Sequence, residues 1–217
     1  EGGWNRVKLY FMLGHPTETE EDMKGIAWLA EKIAERYYEV PKEKRNGKCQ
    51  IVVSTSFFVP KPFTPFQWEK QTSPEEYLRR VHLLQSCLTA RGVDYRYHES
   101  DLSRLEAVLA RGDRRLSKVL LRAHELGCKL DGWDEYFRYD LWMQAFSDCG
   151  VDPEFYTTRG FAEDEILPWQ TIDIGVSRDF FLRERALAYQ SVTTPDCRTK
   201  CAGCGARSLS ERGVCDE

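Results

Sequence analysis

Apolar positions run almost without a break from Leu9 to Leu13, stop at Gly14 and Pro16, and give way to Thr17, Thr19 and a run of acids. A near-continuous apolar run predicts a strand covered on both faces, as in a parallel sheet flanked by helices. Gly14 allows a sharp turn or a close approach of the backbone to a ligand, and Pro16 fixes φ just beyond it. Thr19 with Asp22 makes a capping-box-like start, and Glu18, Glu20 and Glu21 suit the positive end of a helix dipole. From Glu20 to Tyr38, Met23, Ile26, Ala30, Ile33 and Tyr37 fall at helical spacing, with charged residues between them. A polar connector (Pro41 to Lys48) leads to a second strand, QIVVSTSFFV, from Gln50 to Val59. Pro60, Pro62 and Pro65 in the following PKPFTPFQW bar it from a sheet ladder and predict an ordered loop. Ser73-Pro74-Glu75-Glu76 combines an N-cap serine, proline at the first helical position and glutamate at the third. Tyr77, Val81, Leu84 and Leu88 are the buried stripe of that helix, and Gly92 suits its C-terminal exit. Val93 to His98 alternates apolar and polar, which predicts a third strand at a sheet edge.

The order β-α-β-α-β implies parallel strands joined by right-handed crossovers. Three strands do not close a barrel, and the first would present a strongly apolar unpaired edge, which soluble proteins avoid. The chain also starts EGGW rather than with Met and reaches a core strand within a few residues. Both features predict a piece of a larger protein. From Ser100 onward the pattern turns helical. SRLEAVLARGD, with a Ser103/Glu106 capping box, and RRLSKVLLRAHELG predict two short helices. Asp134 to Ser147 predicts a third, with Tyr136, Tyr139, Met143 and Phe146 along one face. Such an aromatic stripe serves either base stacking or a core, and helical spacing with interleaved acids favours the core. Pro153 to Gly160 is loop-like, Ile166 to Gly175 is expected to be mostly extended, and Ser177 caps a last helix to about Tyr189. The expected organisation is an α/β part over residues 1–99, a helical appendage over 100–190 and a cysteine-rich tail over 191–217.

A length of 217 residues fits one good-sized domain, or one domain with an appendage. The formal net charge of -4 gives no support to a broad basic nucleic-acid surface. Locally, Arg111, Arg114, Arg115, Lys118 and Arg122 are either a phosphate-contacting cluster or a solvated helix face. There is no apolar run near the length of a membrane span and no basic-then-apolar leader, so no membrane partner and a cytoplasmic location are expected. Walker, Rossmann and GxSxG signatures and internal repeats are absent from the sequence.

Of the eight cysteines, Cys49, Cys87, Cys128 and Cys149 are scattered and suit small buried or surface thiols. Cys197-x3-Cys201-x2-Cys204 crowds the tail, with Gly203 and Gly205 letting the backbone fold around a centre. Three thiolates at this spacing fit an iron–sulfur cluster or, with Cys215 as a fourth ligand, a tetrahedral zinc site. Spacing does not decide between the metals. His15, in the turn after the first strand, is a polar ligand contact, an acid–base group or a turn residue bonded to backbone. Ser54, Ser56 and Lys61, at the C-terminal end of the second strand, are placed on the same side as Gly14 and suit pocket lining. His82, His98 and His124 have no partner in sequence and take no role.

GWNRVKLYFMLGHPTETEED resembles the fifth-strand region of radical SAM enzymes, in which an apolar strand ends in G-x-P-x-x-T followed by acids. SFFVPKPFTPFQW is similar to the sixth-strand region of the subset that carries an N-terminal cobalamin-binding-like domain. PWQTIDIGVSRDFFLRE and DCRTKCAGCG resemble the C-terminal part of one uncharacterised family in that subset. The resemblance implies an α/β fold, the C-terminal part of a partial (β/α)6 radical SAM barrel, followed by a mainly helical appendage and a cysteine-rich tail. It implies a [4Fe-4S] cluster that binds S-adenosylmethionine (SAM) and cleaves it reductively, an electron donor, and an N-terminal half of the same protein that carries the cluster loop. By position, Gly14, Pro16 and Glu18, with Ser54, Ser56 and Phe58, would form the SAM and substrate pocket. Cobalamin in the parent protein and a tRNA or other macromolecular substrate are further implications. One departure stands out: the single C-x3-C-x2-C lies at the far end of the chain, with Gly203 where the cluster motif usually has an aromatic. Cys197, Cys201, Cys204 and Cys215 therefore suggest an auxiliary cluster or zinc, and the chain alone is expected not to cleave SAM. The alternative from the basic cluster is a non-enzymatic RNA- or protein-binding module with a structural zinc tail.

Overall fold

The computed structural model describes residues 3–206. The elements in chain order are β1 (Arg6–Leu13), α1 (Glu20–Glu39), a 3-10 turn (Lys42–Lys44), β2 (Gln50–Phe57), α2 (Pro74–Cys87), β3 (Val93–Tyr97), α3 (Ser100–Arg111), α4 (Leu116–Leu126), α5 (Tyr139–Asp148), a second 3-10 turn (Pro153–Phe155) and α6 (Arg178–Tyr189). The chain divides into two compact units. The first is made of the segments through Val59 and Thr72–Leu105, the second of Pro60–Gln71 and the chain from Glu106 onward. Among the described residues no helix is long and apolar enough to cross a membrane.

The first unit is α/β, with a three-stranded parallel sheet in the order β1-β2-β3. Both helix starts follow from their caps. Asp22 Oδ2 accepts from Thr19 N at 2.7 Å and from Thr19 Oγ1 at 2.9 Å, and Ser73 Oγ accepts from Glu76 N with Pro74 opening α2. α1 and α2 lie on the same face of the sheet. One core cluster joins Leu13, Phe57, Met23, Ala27, Tyr77, Val81 and Leu84, and another joins Ala30 and Ala34 to Cys49, Ile51 and Val53. Phe57 and Tyr77 stack with ring centroids 4.2 Å apart, and the Tyr77 hydroxyl donates to His98 O at 2.9 Å. α2 is thereby fixed to the far edge of the sheet.

The expectation that β1 is covered on both faces is corrected. Its exposure alternates, and Tyr10 and Met12 are 71% and 48% exposed while Leu13 is buried. With both crossover helices on one side, the side chains of Lys8, Tyr10 and Met12 point to a face that no helix covers among the described residues. Only the central strand β2 is buried continuously from Ile51 to Thr55, since β1 and β3 flank it.

The second unit is helical and irregular, with a core of Trp68, Phe161, Leu167, Trp169 and Phe181 and with α4 packed on α5. The loop Pro60–Gln71 threads into it: Gln71 N donates to Thr157 O and Phe161 N to Trp68 O, at 2.9 and 2.8 Å. Three local expectations change. Ser103 is not a cap but a buried residue inside α3, which begins at Ser100. α5 begins only at Tyr139, so Tyr136 lies outside it, half exposed, and the buried face is Trp142, Ala145 and Phe146. Residues 166–175 form successive turns instead of an extended segment. Gln170 Oε1 accepts from Leu167 N at 3.2 Å and Asp173 Oδ1 from Gly175 N at 2.7 Å, local side-chain bonds that compete with a ladder.

Candidate functional site

The turn after β1 is built around Glu18. Gly14 has φ +97°, and its N–H donates to Glu18 Oε2 at 2.7 Å. Arg80, from α2, pairs with the same carboxylate oxygen and with Glu76 Oε1 at 2.9 Å. The Glu18 and Arg80 side chains are 7% and 14% exposed. Glu18 is thus held inward, closing the turn on α2, and neither it nor the Gly14 N–H is presented outward as a ligand group. His15 packs its ring 4.4 Å from that of Phe58 at a tilt of 36°. Burial holds its imidazole below the usual histidine value, opposed in part by the Glu18 charge, so the ring is mainly neutral at neutral pH. Phe58 is itself buried and its N–H donates to Leu13 O at 2.8 Å. A β-carbon at Gly14 would lie 3.3 Å from Phe57 Cε2. Gly14→Ala, adding that contact to a left-handed backbone, is expected to cost the first unit about 2 kcal/mol, read as faster amide exchange in β2.

The helix-free face carries the polar groups. Tyr10, Phe11, Met12, Ser54, Ser56 and His98 line an open cavity of about 360 Å3. The register sets Tyr10 beside Ser54 and Ser54 beside Arg96, and sets Met12 beside Ser56. Ser56 Oγ donates to Phe11 O at 3.4 Å, and Arg96 Nε donates to Asp94 Oδ2 at 2.8 Å. His98 N continues the β2–β3 pairing by donating to Thr55 O at 3.0 Å. The structure thus brings Ser54 and Ser56 together with Tyr10, Met12 and His98. Gly14, Pro16, Glu18 and Phe58 lie at and just past the C-terminal ends of β1 and β2. Tyr10, Met12 and His98 carried no predicted role. Reading β1 with a period of two and pairing it in parallel with β2 was the signal that would have found them. Hydroxyls and an imidazole on one sheet face can bind and orient a polar ligand.

The cysteines divide as expected only in part. Cys49 and Cys128 are buried, and burial pushes both thiols up. Cys197 and Cys201 are exposed, Cys204 is partly buried, and Cys215 lies outside the described residues. Gly203 N donates to Cys201 Sγ at 3.4 Å and Ala206 N to Cys204 Sγ at 3.5 Å, each from two residues on. Positive φ at Gly203 and Gly205 makes these turns possible. Ser177 N, at the cap of α6, donates to Cys204 O at 2.8 Å. Yet among the described residues no three His, Cys, Asp or Glu gather as a metal set, whereas a cluster or structural zinc needs three or four ligands. Cys197, Cys201 and Cys204 are thus not gathered as a ligand set among the described residues, and Cys215 lies outside them.

The basic cluster does not form one face. Arg111 is fully buried, Arg115 is paired with Asp113 at 2.6 Å, and Arg122 is paired with Asp148 and Glu125 at 2.7 and 3.1 Å. Arg114 and Lys118 are exposed. Three of the five cations serve internal or local pairing, which weakens the case for a phosphate-binding surface.

These features define an α/β protein with a short, singly wound parallel sheet, one polar sheet face and a helical unit that carries two cysteine turns. No family model matches the chain, and no solved structure matches it. It is 30% identical over 149 residues to an uncharacterized protein of Methanocaldococcus jannaschii, a stretch amounting to 69% of this chain and 31% of that protein. The chain thus spans about a third of the length of that relative.

Proposed function

We propose that the chain is the C-terminal portion of a radical SAM enzyme, with the helix-free face of its sheet forming one wall of the SAM and substrate pocket. The observation that carries this reading is the polar sheet face that the winding leaves uncovered. Strands follow one another in chain order with both crossover helices on the same side. That is the arrangement of a (β/α) barrel, whose helices form an outer ring around an inward sheet face. One half of a doubly wound sheet shares this winding, with helices on the second side supplied only by its other half, so it is the polar uncovered face that favours the barrel. The polar lining of the uncovered face, Tyr10, Ser54, Ser56 and His98, suits an interior that holds a polar ligand. The G-x-P-x-x-T turn at Gly14, Pro16 and Thr19 sits at the C-terminal end of β1, where barrel enzymes bind substrates.

The role assigned to this chain is binding and shaping. Ser54, Ser56 and Tyr10 offer hydroxyls to the ligand. The Glu18–Arg80 pair holds the turn that frames it. No step is assigned through a radical-generating cluster, because the described residues supply no ligand set for one. Cys201 and Cys204, with Cys197 and Cys215, are assigned to an auxiliary iron–sulfur cluster or zinc. The N-terminal half of the parent protein, an electron donor, cobalamin and a macromolecular substrate belong to the same proposal.

The test joins the chain to the upstream half of its parent protein, reconstitutes it anaerobically with iron and sulfide, and assays 5′-deoxyadenosine release from SAM. Release is expected from the joined protein and not from this chain alone. Absence of release from a reconstituted, iron-loaded protein would overturn the reading. A brown, iron- and sulfide-containing preparation of this chain alone would assign the tail to a cluster, and a colourless zinc protein would assign it to zinc.

A further inference from the structure

We propose that the helix-free sheet face recognises a phosphate monoester carried by the substrate of the proposed pocket. This names a substrate class for that pocket and rests on the reading that the face is its wall. The odd-numbered residues of all three strands pack against α1 and α2. Strand alternation therefore leaves the even-numbered ones on the uncovered face. Register sets them in rows: Lys8, Val52 and Asp94, then Tyr10, Ser54 and Arg96, then Met12 beside Ser56. Arg6 precedes Lys8 on β1, and both are exposed, as is Arg96. Asp94 is the one acid among the strand residues on this face. Three cations thus stand against one carboxylate, in a chain whose formal net charge is -4.

Ser54 marks the centre of this charge. The residue is 8% exposed and lines the open cavity, and its hydroxyl has no partner among the described residues. That hydroxyl is not sealed in the core; it is reached from the cavity. Strand spacing of about 4.8 Å puts Tyr10 and Arg96 roughly 10 Å apart across it. The Lys8 ammonium leans along β1 to 4.6 Å from the Tyr10 ring centroid. From β3, the Arg96 guanidinium leans back to Asp94 Oδ2 at 2.8 Å. Cations from the two outer strands therefore flank an open hydroxyl on the central one. A phosphate monoester presents several acceptor oxygens at once and, as a dianion, matches the excess of two cationic charges. A carboxylate or a phosphodiester brings only one charge. A long polyanion would lay its next phosphates against a chain that is acidic elsewhere.

The test titrates the full chain, without iron or SAM, with methyl phosphate and with dimethyl phosphate at constant ionic strength. At a pH of about 8 the monoester is a dianion, since its second pKa is about 6, and the diester is a monoanion. Binding is followed through the backbone amide resonances of Tyr10, Ser54 and Arg96. Methyl phosphate is expected to bind at least about fivefold more tightly than dimethyl phosphate. Ser54→Ala changes no charge and leaves any diffuse attraction intact, yet it should weaken methyl phosphate about fivefold. Arg96→Gln, at an exposed edge position, should weaken it about tenfold, because it also leaves Asp94 unpaired. Lys32→Gln, on α1 and so on the other side of the sheet, should leave the affinity unchanged. No binding, equal or reversed affinities for the two esters, or indifference to Ser54→Ala would each overturn the proposal. Release of 5′-deoxyadenosine is measured separately, in the joined protein without phosphate. Failure of the pocket reading and failure of phosphate recognition are thereby told apart.

Discussion

Arg80→Leu is expected to cost the first unit about 3 kcal/mol, seen as faster exchange of the buried β2 amides, while Glu18→Gln alone costs about 1 kcal/mol. The asymmetry comes from what each substitution leaves behind. Removing the guanidinium strands the Glu18 carboxylate, 7% exposed, with only the Gly14 N–H to meet its charge. Removing the carboxylate charge leaves Arg80 still bonded to Glu76 at 2.9 Å and leaves an amide oxygen for Gly14 N. The double variant should recover part of the loss, because no buried charge is then unpaired. Acid offers a second reading of the same network. Hydrogen bonds from Arg79 and then Arg80 hold the Glu76 carboxyl at about 2, below its ordinary 4.5. A carboxylate depressed by folding contributes stability that is full above its unfolded value and lost as pH falls through its folded one. The native chain should therefore lose stability as pH falls from about 4.5 towards 2. In Arg80→Leu that loss should be shallower. An Arg80→Leu protein as protected as the native chain would show that the turn is held by its backbone alone.

The parts of this architecture that sequence made legible are those specified by neighbours in the chain. Ser73-Pro74 and Thr19 with Asp22 mark helix starts within four residues, and the structure places α2 and α1 there. The period-two alternation of β1 was equally present, but Tyr10 and Met12 are hydrophobic enough to mask it, so the uncovered face went unread. Longer-range choices left no local trace. Glu18 reads as a helix-dipole acid until Arg80, 62 residues on, is seen to claim it. Pro60–Gln71 reads as a connector of the α/β part, yet its Trp68 and Gln71 backbone groups pair with Phe161 and Thr157 in the second unit. Cys201 and Cys204 were legible as a pair of thiols in glycine turns.

Arg111 separates volume from charge in the second unit. It is fully buried on α3, donating from Nη1 to Glu69 O at 2.7 Å, with its guanidinium carbon 4.5 Å from the Phe161 ring centroid. Its Nε and Nη2 have no partner among the described residues. Burial, with repulsion from Arg159, pulls the guanidinium down to about 10, and Glu69 opposes this. At neutral pH it therefore remains a charge in a costly place. Arg111→Ala is expected to lose about 4 kcal/mol, because it opens a large cavity beside Phe161 and removes the donor to Glu69 O. Arg111→Met fills nearly the same length of space without the charge or the unmet N–H donors on Nε and Nη2. It should fall within about 1 kcal/mol of the native chain, as buried ionic groups replaced by well-packed apolar ones often do. Thermal and urea unfolding of both variants check this. If Met proves as damaging as Ala, packing cannot be what Arg111 supplies. The cation itself would then be required, and an acceptor for its Nε and Nη2 would have to be present in solution.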